Sequence, residues 1–353
     1  MTLIPMPSPT TKGQVLLTGG TGFIASHILD RLLDHGYDVV TTVRSEEKGQ
    51  RLLQSIDETL AGRVSYAVIP DIGQEGVWDD VFKKHQQLTG VIHTASPCKT
   101  SGFTDPVKDC LGPAINGTTG ILKSIHAHSS SVKRVVITSS SAAILSPPNH
   151  RQIYDESCWS DITWEQGIAS KKDDTYRASK KFAERAAWDF MAAHSPSFSL
   201  ATINNTFTFG PLPRSLPKGQ SLSSINDSNQ RILDMVQGRM RDGIRPTAPV
   251  FTFVDVRDVA LAHLRAMERK DAGGKRFYVV GGYFSNAQVA SIIRDKFPEL
   301  NRMLPESGQW EDDFPKNHWR FDNSRSKEVL SIQYQGLEAS VVDTVLSILE
   351  YEK

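Results

Sequence analysis

Tyr176 and Lys180 stand four residues apart in the segment TYRASKKFAERAAWDF, residues 175–190. On a helix that spacing brings phenol and ammonium to the same face. A phenol holds its proton up to about pH 10, and a cation beside it lowers that threshold and makes it a better donor. Such a pair could protonate the alkoxide left when hydride reaches a carbonyl. It could equally be an ordinary surface pair, so the rest of the chain must supply a hydride source and a hydroxyl to hold the carbonyl oxygen. Serines at the end of an apolar run, Ser139, Ser140 and Ser141 in TSSSAAI, are candidates for that hydroxyl.

A hydride source is suggested by TGGTGFIA, residues 18–25, which follows the apolar run QVLLT and precedes the helical pattern of Ile24, Ile28, Leu32 and Leu33. Gly19 permits a tight turn, Gly22 lets backbone approach a pyrophosphate, and Ala25 allows helix to pack on strand. The helix N-terminus, with Thr21, Phe23 and Ile24 in its opening turn, offers free N–H groups to the anion. The second strand, YDVVTTVRS, ends in Arg44 with Lys48 a turn later, where an NAD-binding chain would carry an acidic residue. Two cations there suit a 2′-phosphate and so NADPH. Glu46 and Glu47 between them keep open the plainer reading of a solvated charged face. Asp71 and Ile72, after the third strand, are expected beside the adenine, and Ala95, Ser96 and Pro97, after the fourth, beside the dinucleotide.

The elements that must position these groups alternate. Strand-type runs QVLLTGG, YDVVTTVRS, VSYAVIPDI, GVIHTASP, KRVVITSSSAAI and FSLATINNTFTFG are separated by helical patterns, including one at 78–85, one at 114–129 and the tyrosine helix itself. That rhythm predicts an α/β fold, a doubly wound parallel sheet covered on both faces. Residues 1–13 read as a loose tail, 14–210 as the dinucleotide-binding domain, and 211–353 as a smaller, mixed substrate-binding or lid region, with about 250–270 returning to the sheet. A helix is expected near 228–239.

The 353 residues carry 40 basic and 40 acidic side chains, which removes the electrostatic case for nucleic acid or a membrane surface. No apolar run approaches the roughly 20 residues of a membrane span. Three widely spaced cysteines, Cys98, Cys110 and Cys158, make neither a disulfide framework nor a thiolate metal site, and no other metal-ligand spacing is present. A cytoplasmic setting, with the chain acting as monomer or homodimer, is the expectation.

Together TGGTGFIA, the serine strand and YRASK resemble the extended short-chain dehydrogenase/reductases. VIHTASP, PAINGT, YDESCWSD, SKKFAERAAWDF and VDVRDVALAHL resemble the branch that holds the plant dihydroflavonol and cinnamoyl-CoA reductases and the fungal methylglyoxal and carbonyl reductases. The resemblance runs from about Val15 to Ala266. It implies a Rossmann fold and an NADPH-dependent reduction of a small aldehyde or ketone, with Ser140, Tyr176 and Lys180 as the catalytic set. Tyr176 and Lys180 would also touch the cofactor. By the same analogy the substrate would meet Cys98, Phe103, Ser141, Asp173 and Phe207. Phe103 and Phe207 could instead be core residues, and Asn116 is either a relay group or a buried structural amide. Relatives carry Asn-Pro where this chain has Asn204 and Asn205. Other readings of the same fold are a hydroxysteroid dehydrogenase, a sugar-nucleotide epimerase, or a protein that senses NADPH without turnover.

Overall fold

The computed structural model describes residues 11–97, 104–169, 173–214, 222, 225–306, 308 and 310–352. Its elements alternate as the hydrophobic pattern requires: β1 (Gln14–Thr18), α1 (Phe23–Asp34), β2 (Asp38–Val43), α2 (Glu46–Ser55), β3 (Val64–Val68), α3 (Asp79–Lys84), β4 (Leu88–His93), α4 (Gly112–His128) and β5 (Arg134–Thr138). After a two-residue strand β6 (Ile153–Tyr154) come α5 (Trp164–Ala169), the tyrosine helix α6 (Asp173–His194), β7 (Ser199–Asn205) and β8 (Phe207–Phe209). The chain continues through α7 (Asp227–Val236), β9 (Thr252–Asp255), α8 (Val256–Glu268), β10 (Lys275–Val279), β11 (Gly282–Tyr283), α9 (Asn286–Lys296), β12 (Arg320–Phe321), α10 (Ser324–Val329) and α11 (Leu337–Tyr351).

Seven strands form one parallel sheet in the order β10-β7-β5-β4-β1-β2-β3. The order reverses between β1 and β4, and in an open α/β sheet that reversal opens a crevice outside the carboxyl ends of the strands. Alternation along β1 shows both faces buried: Val15 and Leu17 belong to the core beneath α1 and α8, while Leu16 belongs to the core beneath α3 and α4. Helices α1 and α8 pack together on one face and α4 and α6 on the other.

The stretch 250–270, expected back at the large sheet, divides. Strand β9 pairs instead with β8 and β11 in a separate three-stranded sheet, whereas α8 does cover the large sheet, packing on β4, β5 and β7. The strand that rejoins the large sheet is β10, beside β7, with Arg276 opposite Thr202. A third core gathers Phe209, Phe253, Ile232, Val289 and Val345 from β8, β9, α7, α9 and α11. The VDVRDVA segment caps α8: Asp255 accepts from the Arg257 backbone N–H at 2.8 Å, and Arg257 also pairs with Asp343 at 2.6 Å. Cys158 is a free buried thiol, but Cys110 takes part in a disulfide, against the expectation that the widely spaced cysteines make no disulfide framework.

Candidate active site

A cavity of about 940 Å³ opens at the crevice. Along one side run Gly19, Thr21, Gly22, Phe23 and Ile24 from the β1–α1 turn, Arg44 and Lys48 after β2, Asp71 and Ile72 after β3, and Ala95, Ser96 and Pro97 after β4. Ser140, Ser141, Asp173, Tyr176, Lys180 and Phe207 line the same space. Cys98 and Phe103 lie outside the described residues. Asn116 is exposed on α4 and is not a buried structural amide.

The glycine turn is forced by its surroundings. Gly19 has φ +71°, a region that favours glycine, and a Cβ on Gly20 would fall 2.0 Å from Thr41 Oγ1 on the neighbouring strand. Gly22 caps α1 without any side-chain hydrogen bond, so the helix keeps its first N–H groups available to an anion. Thr18 ties this turn to β4. Its Oγ1 accepts from the backbone N–H groups of Thr94 and Ala95 at 3.0 and 3.1 Å, and therefore donates its own hydrogen to His93 Nδ1 at 2.9 Å. His93 is wholly buried; burial, with the Lys180 ammonium adding to it, pushes its pKa down to about 3 and keeps the ring neutral.

At the far end of β2, Ser45 caps α2. The two acids that kept a solvated face open are engaged elsewhere: Glu46 accepts from Tyr66 and Glu47 pairs with Arg51 at 2.5 Å. Among the described residues Arg44 and Lys48 have no carboxylate partner, and both are exposed on the cavity wall. A glycine cradle, an uncapped helix start and two unpaired cations together suit a dinucleotide that carries an additional phosphate.

Helix α6 places the reactive pair. Ala178, Ala183, Ala187 and Phe190 form its buried face, and Asp173 and Asp174 favour its N-terminus electrostatically. Tyr176 and Lys180 are half-buried, with the ammonium 5.7 Å from the phenol ring centre and donating to Ser96 Oγ at 3.2 Å. Arg177 fastens the helix start to the loop beyond the serines through Asp174 at 2.9 Å, Asp161 at 3.2 Å and the Pro147 carbonyl at 3.1 Å. Ser140, two residues beyond β5, caps the turn Ser141–Ala143, its Oγ accepting from Ala142 N–H at 3.1 Å. Its hydroxyl hydrogen is thereby left to donate.

Beneath these groups lies a buried network that the sequence reading overlooked. Glu184, one further turn along α6, accepts from Ser139 Oγ at 2.6 Å, Asn204 Nδ2 at 2.7 Å and Thr202 Oγ1 at 2.9 Å, and pairs with Arg276 at 2.7 Å. Burial alone would raise this carboxyl, but the guanidinium and the hydroxyl and amide donors reverse the effect and hold it below the usual carboxylate range. Asn204 also donates to the Ser140 carbonyl at 3.2 Å, so the ion pair braces the serine end of β5. Its signal was present as a helical i, i+4, i+8 series, Tyr176, Lys180, Glu184, but the counter-charge lies far off in sequence. Also unanticipated on the cavity wall are Leu145, Thr208, Asn226, Arg231 and Val250.

A profile of the NAD dependent epimerase/dehydratase family matches residues 15–281. A ketoreductase of Aspergillus niger is 49% identical over 337 residues, covering 96% of this chain and 98% of that protein. The NADPH-dependent methylglyoxal reductase of Saccharomyces cerevisiae is 34% identical over 352 residues, 96% of this chain and 98% of its own length. The crystal structure of Gre2 from Candida albicans in complex with NADPH superimposes with a TM-score of 0.88 at 36% identity, over 96% of this chain and 99% of that one.

Proposed function

The chain belongs to the NAD dependent epimerase/dehydratase family and is an NADPH-dependent oxidoreductase acting on carbonyl groups; we propose that it reduces a small aldehyde or ketone to the alcohol with Tyr176 as proton donor. The observation that carries this reading is that Ser140, Tyr176 and Lys180 share one cavity with the glycine turn and with Arg44 and Lys48. When bound, NADPH supplies the hydride. The turn at Gly19 to Ile24 would hold its pyrophosphate, and Arg44 with Lys48 its 2′-phosphate.

The remaining work falls to the protein. Ser140 donates its hydroxyl hydrogen to the carbonyl oxygen and fixes the carbonyl's orientation. Tyr176 gives its phenolic proton to the same oxygen as negative charge develops there. Lys180 stabilises the phenolate that remains. The Glu184–Arg276 network keeps the serine strand and the tyrosine helix at fixed separation.

The test is turnover. Purified protein mixed with NADPH and a panel of aldehydes, α-keto esters and aryl ketones should consume the reduced nicotinamide, seen as loss of its near-ultraviolet absorbance. Tyr176→Phe should lower kcat by about 10²- to 10⁴-fold, the usual worth of a general acid, while NADPH still quenches tryptophan fluorescence. A Phe variant that keeps most of its turnover overturns the donor assignment. Silence with every carbonyl overturns the reductase reading.

A further inference from the structure

Arg231, on α7, lines the same cavity, as do Phe207, Asn226, Asp227 and Ser228. Its guanidinium carbon lies 4.3 Å from the centre of the Phe207 ring, a cation–π contact. Only Nη1 has protein acceptors among the described residues, and both are neutral: the Thr247 carbonyl at 3.4 Å and Asn286 Oδ1 at 3.2 Å. Asp313 acts on it electrostatically, but that carboxylate is bound to Thr247 through its N–H at 2.6 Å and hydroxyl at 2.7 Å, and no ion pair joins it to Arg231. Burial and the nearby Arg245 disfavour the charge, with Asp313 working against them.

Other arginines near the cavity differ. Arg177 is spent on Asp161 and Asp174, and Arg44 belongs to the dinucleotide side. Among these, Arg231 lines the cavity with no hydrogen bond at its Nε and Nη2 edge and no ion pair among the described residues, although the Asp173 and Asp227 carboxylates line the same cavity. That edge is a planar pair of parallel N–H donors, the geometry that binds a carboxylate through both oxygens. A partly buried guanidinium whose hydrogen-bond acceptors are all neutral is stabilised when an anion completes it.

We propose that Arg231 is a specificity determinant that binds a carboxylate on the substrate, so that the preferred substrates of this reductase are keto acids or aldehyde acids. The inference rests on the reductase reading above. No electron or proton transfer is assigned to Arg231; it anchors the substrate through its carboxylate.

A matched pair of compounds tests it: 2-oxo-4-phenylbutanoate and its ethyl ester, each assayed with NADPH and the full-length protein. The wild-type kcat/KM should favour the acid. Arg231→Met should reduce kcat/KM for the acid about 10- to 100-fold more than for the ester, chiefly through KM, as expected for loss of a charge-assisted bidentate contact. Arg231→Lys, which keeps the charge but not the fork, should fall between them. Preference for the ester in the wild type, or equal losses on both compounds in both variants, overturns the inference and leaves the reductase reading intact. Absence of turnover with any carbonyl in the wider panel removes the reductase reading itself.

Discussion

Among the described residues, Arg44 is exposed on the cavity wall and without a carboxylate partner. A cation in that position gains little from the folded protein and much from a phosphate, so its deletion should register in cofactor choice more than in stability. Arg44→Ala is expected to weaken NADPH binding by roughly 10- to 100-fold, the scale of a charge-assisted hydrogen bond. NADH binding should change by only a few-fold. Fluorescence titration with the two dinucleotides measures both, and equal loss of both affinities would mean that Arg44 braces the turn and does not read the phosphate. The same contrast separates Tyr176 from Glu184: one acts at the cavity surface, the other holds Ser139 and Asn204 from behind through contacts of 2.6 and 2.7 Å.

At the scale of elements, the start of α6 is set by how closely α5 can approach it. A Cβ on Gly167 would lie 2.4 Å from Ala178 Cβ, and the Gly167 carbonyl accepts from Thr175 Oγ1 at 2.7 Å. Gly167→Ala should therefore push α5 off the helix that carries Tyr176, at a cost of about 1–3 kcal/mol for overpacking. The urea midpoint should fall and kcat with it; an unchanged midpoint would show that α5 slides freely. Much of this architecture was legible from the chain alone. Period-two and period-3.6 patterns located the strands of the large sheet up to β7, and the glycine turn, the serines and the Tyr–Lys spacing are local motifs that depend on few neighbours. What was not legible depended on distant partners. Strand β9 has the apolar character of a sheet strand, yet its pairing with β8 and β11 is decided by the fold of residues 207–283. Glu184 and Arg231 read as ordinary polar positions on helices, because only tertiary contacts distinguish a buried ion pair or a cavity wall from a solvated face. Asn205, where the family resemblance leads one to expect proline, is buried and donates from Nδ2 to Thr208 Oγ1 at 3.0 Å, a contact that residue identity did not announce.

For the whole molecule, three histidines govern the response to acid. Burial pushes His27 and His263 down to about 4 and His93 to about 3, against 6.5 for an unfolded chain. A lowered folded value favours the neutral form in the native state, so the stability they confer is complete above about pH 6.5 and is lost as pH falls toward these values. Asp30 and Asp258, raised by burial to about 6, act in the opposite sense and gain as pH falls through that value. Burial raises Glu156 as well and lowers His85, His150 and His318, so the lowered histidines outnumber the raised carboxyls, and His27, His93 and His263 are the more strongly shifted. The melting temperature should therefore drop by several degrees between about pH 7.5 and about pH 5. A flat or rising profile in differential scanning calorimetry would show that the carboxyls dominate. Among the described residues no helix is long and apolar enough to cross a membrane, and no cluster of side chains could hold a metal ion.

During synthesis the helix bearing Tyr176 leaves the ribosome well before its electrostatic counterpart, since Arg276 follows Glu184 by 92 residues. Until that arginine emerges, Glu184 has no counter-charge, and a carboxylate does not desolvate alone. The nucleotide turn, the serine strand and the tyrosine helix can thus condense early but remain unlocked, and the reaction centre matures only when the last strand of the large sheet docks beside β7.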